Sequence, residues 1–78
     1  MHKALASLSS HEIERVLRKF GFELKRQRGS HQQFVGFIKG TKRRVTVVAG
    51  HKEFPKEILG SMIRQSGLSE EEWLEAIR

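Results

Sequence analysis

Apolar residues recur along this chain with two different periods, which together predict the order of its helices and strands. The first helical stretch follows Ser9 and has apolar side chains at Ile13, Val16, Leu17 and Phe20. From residue 22 to residue 49, apolar and polar residues alternate, as they do in strands with one buried face. The helical spacing returns after residue 55 and again near the C-terminus. The pattern predicts an α+β protein of order α-β-β-β-α with a short terminal helix.

Short local motifs mark the ends of the predicted helices. Ser9 with Glu12, and Ser69 with Glu72, have the spacing of a capping box, in which each residue bonds the other's backbone amide. Gly21 and Gly67 follow two apolar stripes and supply the left-handed residue that ends many helices. The helix before Gly67 is expected to start at Pro55 and to bury the apolar residues Ile58, Leu59, Met62 and Ile63.

Two glycine-containing turns divide the alternating region into three strands. Gly29-Ser30 and Lys39-Gly40-Thr41 are short enough for hairpins, so we expect an antiparallel meander with the first and third strands at its edges. Each main helix has one apolar face, and both are expected to cover the same side of the sheet. Val35 and Phe37 then point to the uncovered side. This patch is either a partner surface or an ordinary exposed aromatic side chain.

Length and composition restrict the classes of protein that this chain can form. Its 78 residues predict one domain, 1–78, with residues 1–8 as a flexible N-terminal extension. The absence of cysteine excludes disulfides and cysteine-bound metal clusters. Apolar runs are too short for a membrane span, and the first residues do not form a secretory signal. We therefore expect a cytoplasmic protein with no membrane partner.

Positive charge is concentrated in the first part of the chain. The formal net charge is +6, and residues 1–45 hold eleven basic but only three acidic side chains. No carboxylate lies between Glu23 and Glu53, whereas eight lysines and arginines do. Such a one-sided basic stretch suits a polyanion such as a nucleic acid. An unliganded basic surface is an equally good interpretation of the charge taken alone.

Histidine is the plausible acid–base residue of this sequence. The chain has no glycine-rich phosphate loop, nucleophile elbow or metal-ligand motif, so neither a cofactor nor a metal is expected. His31 follows the Gly29-Ser30 turn and is expected to lie among Lys25, Arg26, Arg28 and the Lys42-Arg43-Arg44 cluster. We expect His11 to face solvent, His51 to lie in a loop near the basic surface, and His2 to belong to a mobile terminus.

Four segments, in this order, carry a family resemblance: Leu17-x-x-Phe20-Gly21-Phe22, Arg28-Gly29-Ser30-His31-Gln32-Gln33-Phe34, Arg44-Val45-Thr46-Val47 and Ile63-Arg64-Gln65-Ser66-Gly67-Leu68-Ser69-Glu70-Glu71-Glu72. Together they resemble the HicA family of toxin ribonucleases over about residues 9–73. The resemblance implies a fold like that of double-stranded-RNA-binding domains, metal-independent cleavage of mRNA, growth arrest, and inhibition by a HicB-type antitoxin. It places the family's catalytic histidine at His31.

The charged residues near His31 are the candidates for binding RNA. By position these are Lys25, Arg26, Arg28 and Arg44, with Gly29 allowing close backbone approach and Ser30 able to donate a hydrogen bond. Two other functions stay open at this point. The chain could bind RNA through phosphate and 2′-hydroxyl contacts without cutting it, or its outward Val35/Phe37 face could be completed by a partner protein.

Overall fold

The computed structural model describes residues 3–78, so that His2 and its expected place in a mobile terminus lie outside the described residues. The elements are α1 (Lys3–Ala6), α2 (Ser10–Lys19), β1 (Glu23–Arg28), β2 (His31–Ile38), β3 (Thr41–Val48), α3 (Lys56–Ser66) and α4 (Glu70–Ile77). The strands form one antiparallel sheet in the order β1-β2-β3. The predicted α+β class, the meander and the two edge strands are thus confirmed. No helix within residues 3–78 is long and apolar enough to cross a bilayer.

The helix ends follow the local motifs of the sequence. Ser9 and Glu12 form the predicted capping box of α2, and Ser69 and Glu72 form that of α4. At the end of α2 the amide of Phe22 donates to the carbonyl of Leu17 at 3.0 Å, which is the bond of a Schellman motif. Gly21 provides the positive φ of +85° that this turn requires. Local hydrogen bonds therefore mark where α2 begins and ends and where α4 begins.

The second hairpin turn is tighter than the sequence suggested. Lys39 and Gly40 both have positive φ, at 53° and 80°, and Thr41 already belongs to β3. Positive φ at both central residues is the mark of a two-residue type I′ turn, whose twist matches that of the flanking strands. The strands therefore continue without a loop on either side of this turn.

One face of the sheet packs on the helices and the other is open. Phe34 and Ile38 of β2 and Val45 and Val47 of β3 are buried in the core formed with the helices. Phe37, one position from Ile38, is 68% exposed on the open face, as the alternation predicted. The expectation for α3 was wrong at one residue, because Ile58 lies outside the buried stripe and is 48% exposed.

The first residues of the described chain lie within the segment 1–8 that we expected to be a flexible extension, and they contain regular structure. Lys3–Ala6 forms the short helix α1, which contacts α3 and α4. Leu5 and Leu8 are fully or almost fully buried in the core. Their three-residue spacing places both side chains on one side of the segment, so that burial of apolar surface stabilises its position.

Candidate functional site

A groove of about 450 Å³ lies on the open face of the sheet. Its lining comes from all three strands: Lys25, Arg26, Arg28, His31, Gln33, Val35 and Arg44. We call it the open-face groove. Except for Val35, every one of these side chains carries polar or charged atoms, so the groove is suited to a polar, negatively charged ligand.

A β-bulge in β1 concentrates positive charge in the open-face groove. Leu24 pairs with Phe34, but the next pair is Arg26 with Gln33, so Lys25 is an extra residue in β1. After this bulge, Arg26 and Arg28 lie opposite Gln33 and His31 respectively. In a regular strand the neighbours Lys25 and Arg26 would point to opposite faces of the sheet. Because of the bulge, both side chains line the groove. The bulge thus allows three cations of a six-residue edge strand to share one face.

The backbone of His31 is held between two strands. His31 is the first residue of β2 and pairs with Arg28 on β1 and with Val48 on β3. Next to it, the amide of Ala49 donates to the carbonyl of Ser30 at 2.7 Å, which extends the β2–β3 pairing beyond the strand ends. The His31 side chain is exposed and forms no hydrogen bond or ion pair within residues 3–78. The two neighbouring strands therefore fix the backbone of His31, while the nitrogens of its exposed imidazole are free to meet a ligand.

The cations of the groove differ in whether a carboxylate neutralises them. Lys25 forms an ion pair with Glu23 at 3.0 Å, and both side chains are more than half exposed. Such exposed pairs contribute about 1 kcal/mol or less. In the part of the chain that the structure describes, Arg26, Arg28 and Arg44 have no carboxylate partner. Three guanidinium groups are therefore free to form forked contacts with phosphate oxygens.

The structure brings together five of the seven predicted site residues. Lys25, Arg26, Arg28, His31 and Arg44 all line the groove. The turn residues Gly29 and Ser30 are exposed beside its His31 end and are absent from its lining. Their contribution lies in the hairpin itself, where Gly29 has a φ of +60° and its carbonyl accepts a bond from the Gln27 amide group at 3.0 Å.

The expected cluster at residues 42–44 is divided by strand alternation. Arg44 lines the groove, but Lys42 pairs with Phe37 near the opposite end of the sheet from His31. Arg43 pairs with Gly36 and points to the helices, where its side chain meets Gly67. The expectation that all three would surround His31 was wrong, because adjacent strand residues face opposite sides.

Two groove residues, Gln33 and Val35, had not been assigned to the site. They follow His31 at two-residue intervals along β2, so their parity was the signal that could have identified them. Gln33 adds an amide that can both donate and accept hydrogen bonds, which suits contacts to a base edge or a ribose hydroxyl.

The other described histidines lie outside this groove. His11 is exposed on α2, as expected. His51 lies in the loop after β3, where its amide donates to the Ser10 hydroxyl at 2.9 Å and its ring stacks on Phe54 at 5.0 Å. Neither residue lines the groove with His31. Within residues 3–78, no group of three or more potential metal ligands comes together.

Comparison with known proteins gives one family. No curated protein sequence matches the chain. The family model described as the HicA toxin of bacterial toxin–antitoxin systems matches residues 10–68, which include α2, all three strands, α3 and the whole open-face groove. This match spans well over half of the sequence, and the chain therefore belongs to the HicA family of toxins of bacterial toxin–antitoxin systems.

Proposed function

We propose that this toxin is an endoribonuclease that cleaves mRNA without a metal ion, with His31 as its catalytic acid–base residue. One observation carries the proposal: an exposed, unpaired imidazole shares a groove with three guanidinium groups that have no carboxylate partner within the described residues. The guanidinium groups would bind phosphates, and the imidazole would exchange protons with the ribose next to a bound phosphate.

The reaction uses the RNA's own 2′-hydroxyl as the nucleophile. Neutral His31 accepts the 2′-hydroxyl proton while the 2′-oxygen forms a bond to the adjacent phosphorus. The bond from phosphorus to the 5′-oxygen breaks, and that oxygen takes a proton from water or from the imidazolium just formed. The products are a 2′,3′-cyclic phosphate and a free 5′-hydroxyl, so atoms and charge balance without an external nucleophile.

Arginine side chains stabilise the charge that develops on the phosphate. Arg28 lies directly opposite His31 across β1 and β2, and such cross-strand partners have Cβ atoms about 5 Å apart. Arg28 is therefore placed to contact the phosphate that reacts. Arg26 is one outward position further along β1 and contacts the same or the next phosphate.

The remaining cations are placed to hold flanking phosphates. Arg44 lies opposite Val35, four residues along β2 from His31, which is about 13 Å at the usual rise per residue. That distance is too long for contact with the reacting phosphate, so Arg44 supports binding and orientation of the strand. Lys25 at the bulge adds a further positive charge, reduced by its ion pair with Glu23.

The antitoxin that a toxin of this kind requires is, in this proposal, of the HicB type. The formal net charge of +6 favours an acidic partner surface. Co-expression with a HicB-type protein encoded next to the toxin should restore growth. Failure of every such neighbour to restore growth would contradict this part of the proposal.

Induction of wild type, His31→Ala and His11→Ala in matched cells tests the catalytic assignment. His11→Ala is the matched control, since it removes another exposed histidine that lies outside the groove. We expect growth arrest with loss of mRNA for wild type and His11→Ala, and normal growth with intact mRNA for His31→Ala. Arrest with mRNA loss in His31→Ala, at equal protein level, would refute the role of His31. Intact mRNA in all three strains would refute the nuclease.

A further inference from the structure

An aromatic side chain on the open face is not used by the fold or by the proposed cleavage. Phe37 is 68% exposed and belongs to the same outward row of β2 as His31, Gln33 and Val35. Within residues 3–78, Phe37 and Ile58 are the only exposed large apolar side chains, and Phe37 is the more exposed of the two. The core lies on the opposite side of the sheet, so the ring of Phe37 adds nothing to core packing.

The surroundings of Phe37 are basic. Its partner on β3 is Lys42, and the neighbouring outward pair of the two strands is Val35 with Arg44. Among the described strands, Glu23 of β1 is the one carboxylate residue, and it lies opposite Val35. Its side chain forms an ion pair with Lys25. A flat aromatic ring bordered by cations is the arrangement with which proteins bind single-stranded nucleic acids, because bases stack on the ring while cations follow the backbone.

We propose that Phe37 is a stacking platform for a base of the single-stranded RNA whose phosphates lie in the open-face groove. The proposal rests on the proposed ribonuclease function and adds a subsite to it. His31 and Phe37 are six residues apart on one strand, which is about 20 Å at the usual rise per residue. The stacked base is therefore several nucleotides away from the cleaved bond. Between these two points, the bound RNA runs along β2 and passes Arg44.

Charge complementarity favours RNA over a protein at this position. The cores of protein interfaces are depleted in lysine, whereas Phe37 has Lys42 directly opposite. The row that ends at Phe37 is continuous with the groove lined by Arg26, Arg28 and Arg44. A polyanion with planar bases can contact both the arginines of the groove, through its phosphates, and the ring of Phe37, through a base.

Binding of a single-stranded RNA, measured in the His31→Ala background to prevent cleavage, tests the subsite. Removing a base–aromatic stack weakens binding by about 5- to 150-fold, so we expect a loss in this range for Phe37→Ala. Phe37→Leu should bind almost as weakly, because leucine keeps apolar surface but lacks a ring. Phe37→Trp should keep the affinity. Ile58→Ala, which removes the other exposed apolar side chain, should change nothing.

A fluorescent base analogue locates the subsite along the RNA. With 2-aminopurine placed at successive positions, we expect quenching at a few neighbouring positions on one side of the cleavage point, and loss of that quenching in Phe37→Ala. Unchanged RNA affinity in Phe37→Ala, or wild-type affinity in Phe37→Leu, would overturn the stacking proposal. Weakened antitoxin binding with unchanged RNA binding would assign the ring to the protein partner instead. No RNA binding by any variant, including the unsubstituted Phe37 protein, would refute the proposed function itself.

Discussion

Ser66 joins the last two helices through a buried hydrogen-bond network. Its hydroxyl accepts bonds from the indole of Trp73 and from the amide of Leu68, each at 3.1 Å. The same hydroxyl donates to the carbonyl of Ile63 at 2.6 Å. Ser66 and Trp73 are completely buried. Replacing Ser66 by alanine therefore leaves two donors without a partner in a place that water does not reach.

The expected loss of stability follows from these two donors. Each buried donor that loses its partner costs about 1–3 kcal/mol, and alanine leaves only a small void in place of the hydroxyl. With two such donors, we expect Ser66→Ala to lower the free energy of unfolding by about 2–6 kcal/mol. A domain of this length has a total stability of roughly 4–12 kcal/mol, so the variant loses a large share of it. The melting temperature should fall by at least about 8 °C.

Urea unfolding measures this loss. All variants carry His31→Ala, which changes an exposed side chain, and unfolding is followed by far-UV circular dichroism. Ser61→Ala is the matched control, because its half-buried hydroxyl lies on the same helix and accepts one long bond of 3.5 Å from Gln65. This control should stay within about 0.5 kcal/mol of the parent.

A double-mutant cycle with Trp73→Phe separates the hydrogen bond from general packing. Phenylalanine has no indole N–H. In that background, Ser66→Ala therefore leaves only the amide of Leu68 without its partner, instead of two donors. The effect of Ser66→Ala should then be smaller by about 1–3 kcal/mol. Equal effects in the two backgrounds, or a loss below about 0.5 kcal/mol for Ser66→Ala itself, would refute the reasoning.

Two further predictions concern a helix end and the stability in acid. Gly21 and Gly67 both end helices with positive φ, but a Cβ at Gly21 meets open space, whereas one at Gly67 would lie 2.5 Å from Nε of Arg43. Urea unfolding should show a loss of about 1–2 kcal/mol for Gly21→Ala and a larger one for Gly67→Ala, and equal losses would contradict the steric argument. The amide of Ser69 donates to Glu72 and lowers the pKa of that carboxyl below its ordinary value of 4.5. The lowered pKa means that ionised Glu72 stabilises the fold above the unfolded-state pKa, and that this stabilisation disappears as the pH falls through the folded-state pKa. The stability difference between wild type and Glu72→Gln, measured by urea unfolding, should therefore shrink on going from neutral pH to well below 4.5, and a constant difference would contradict the assignment.

The features that the sequence predicted well are those with local causes. The capping boxes at Ser9 and Ser69 involve partners three residues away, and the Schellman turn at Gly21 needs one residue with positive φ. The alternation of β2 depends on one strand, and it correctly separated buried Phe34 from exposed Phe37. In each case the pattern that makes the prediction possible lies within one short segment of the chain.

The features that the sequence missed depend on contacts between distant segments. The bulge at Lys25 changes the parity of β1 and can be recognised only from the pairing with β2. The burial of Leu5 requires α3 and α4, which lie far away in the chain. Arg43 illustrates the same point, because it was expected to lie near His31 with the rest of its basic run and instead contacts Gly67 among the helices. The charge of the groove was predictable from the basic stretch, and the membership of Gln33 and Val35 could have been read from their two-residue spacing from His31.

Cleavage of a single-stranded RNA by the purified toxin, in the presence of a metal chelator, tests the central claim most directly. We predict cleavage by wild type that yields 2′,3′-cyclic phosphate and 5′-hydroxyl ends. We also predict no cleavage by His31→Ala, although that variant binds the RNA with nearly unchanged affinity. Cleavage by His31→Ala, or products with 5′-phosphate ends, would contradict the account of His31 as the group that removes the 2′-hydroxyl proton.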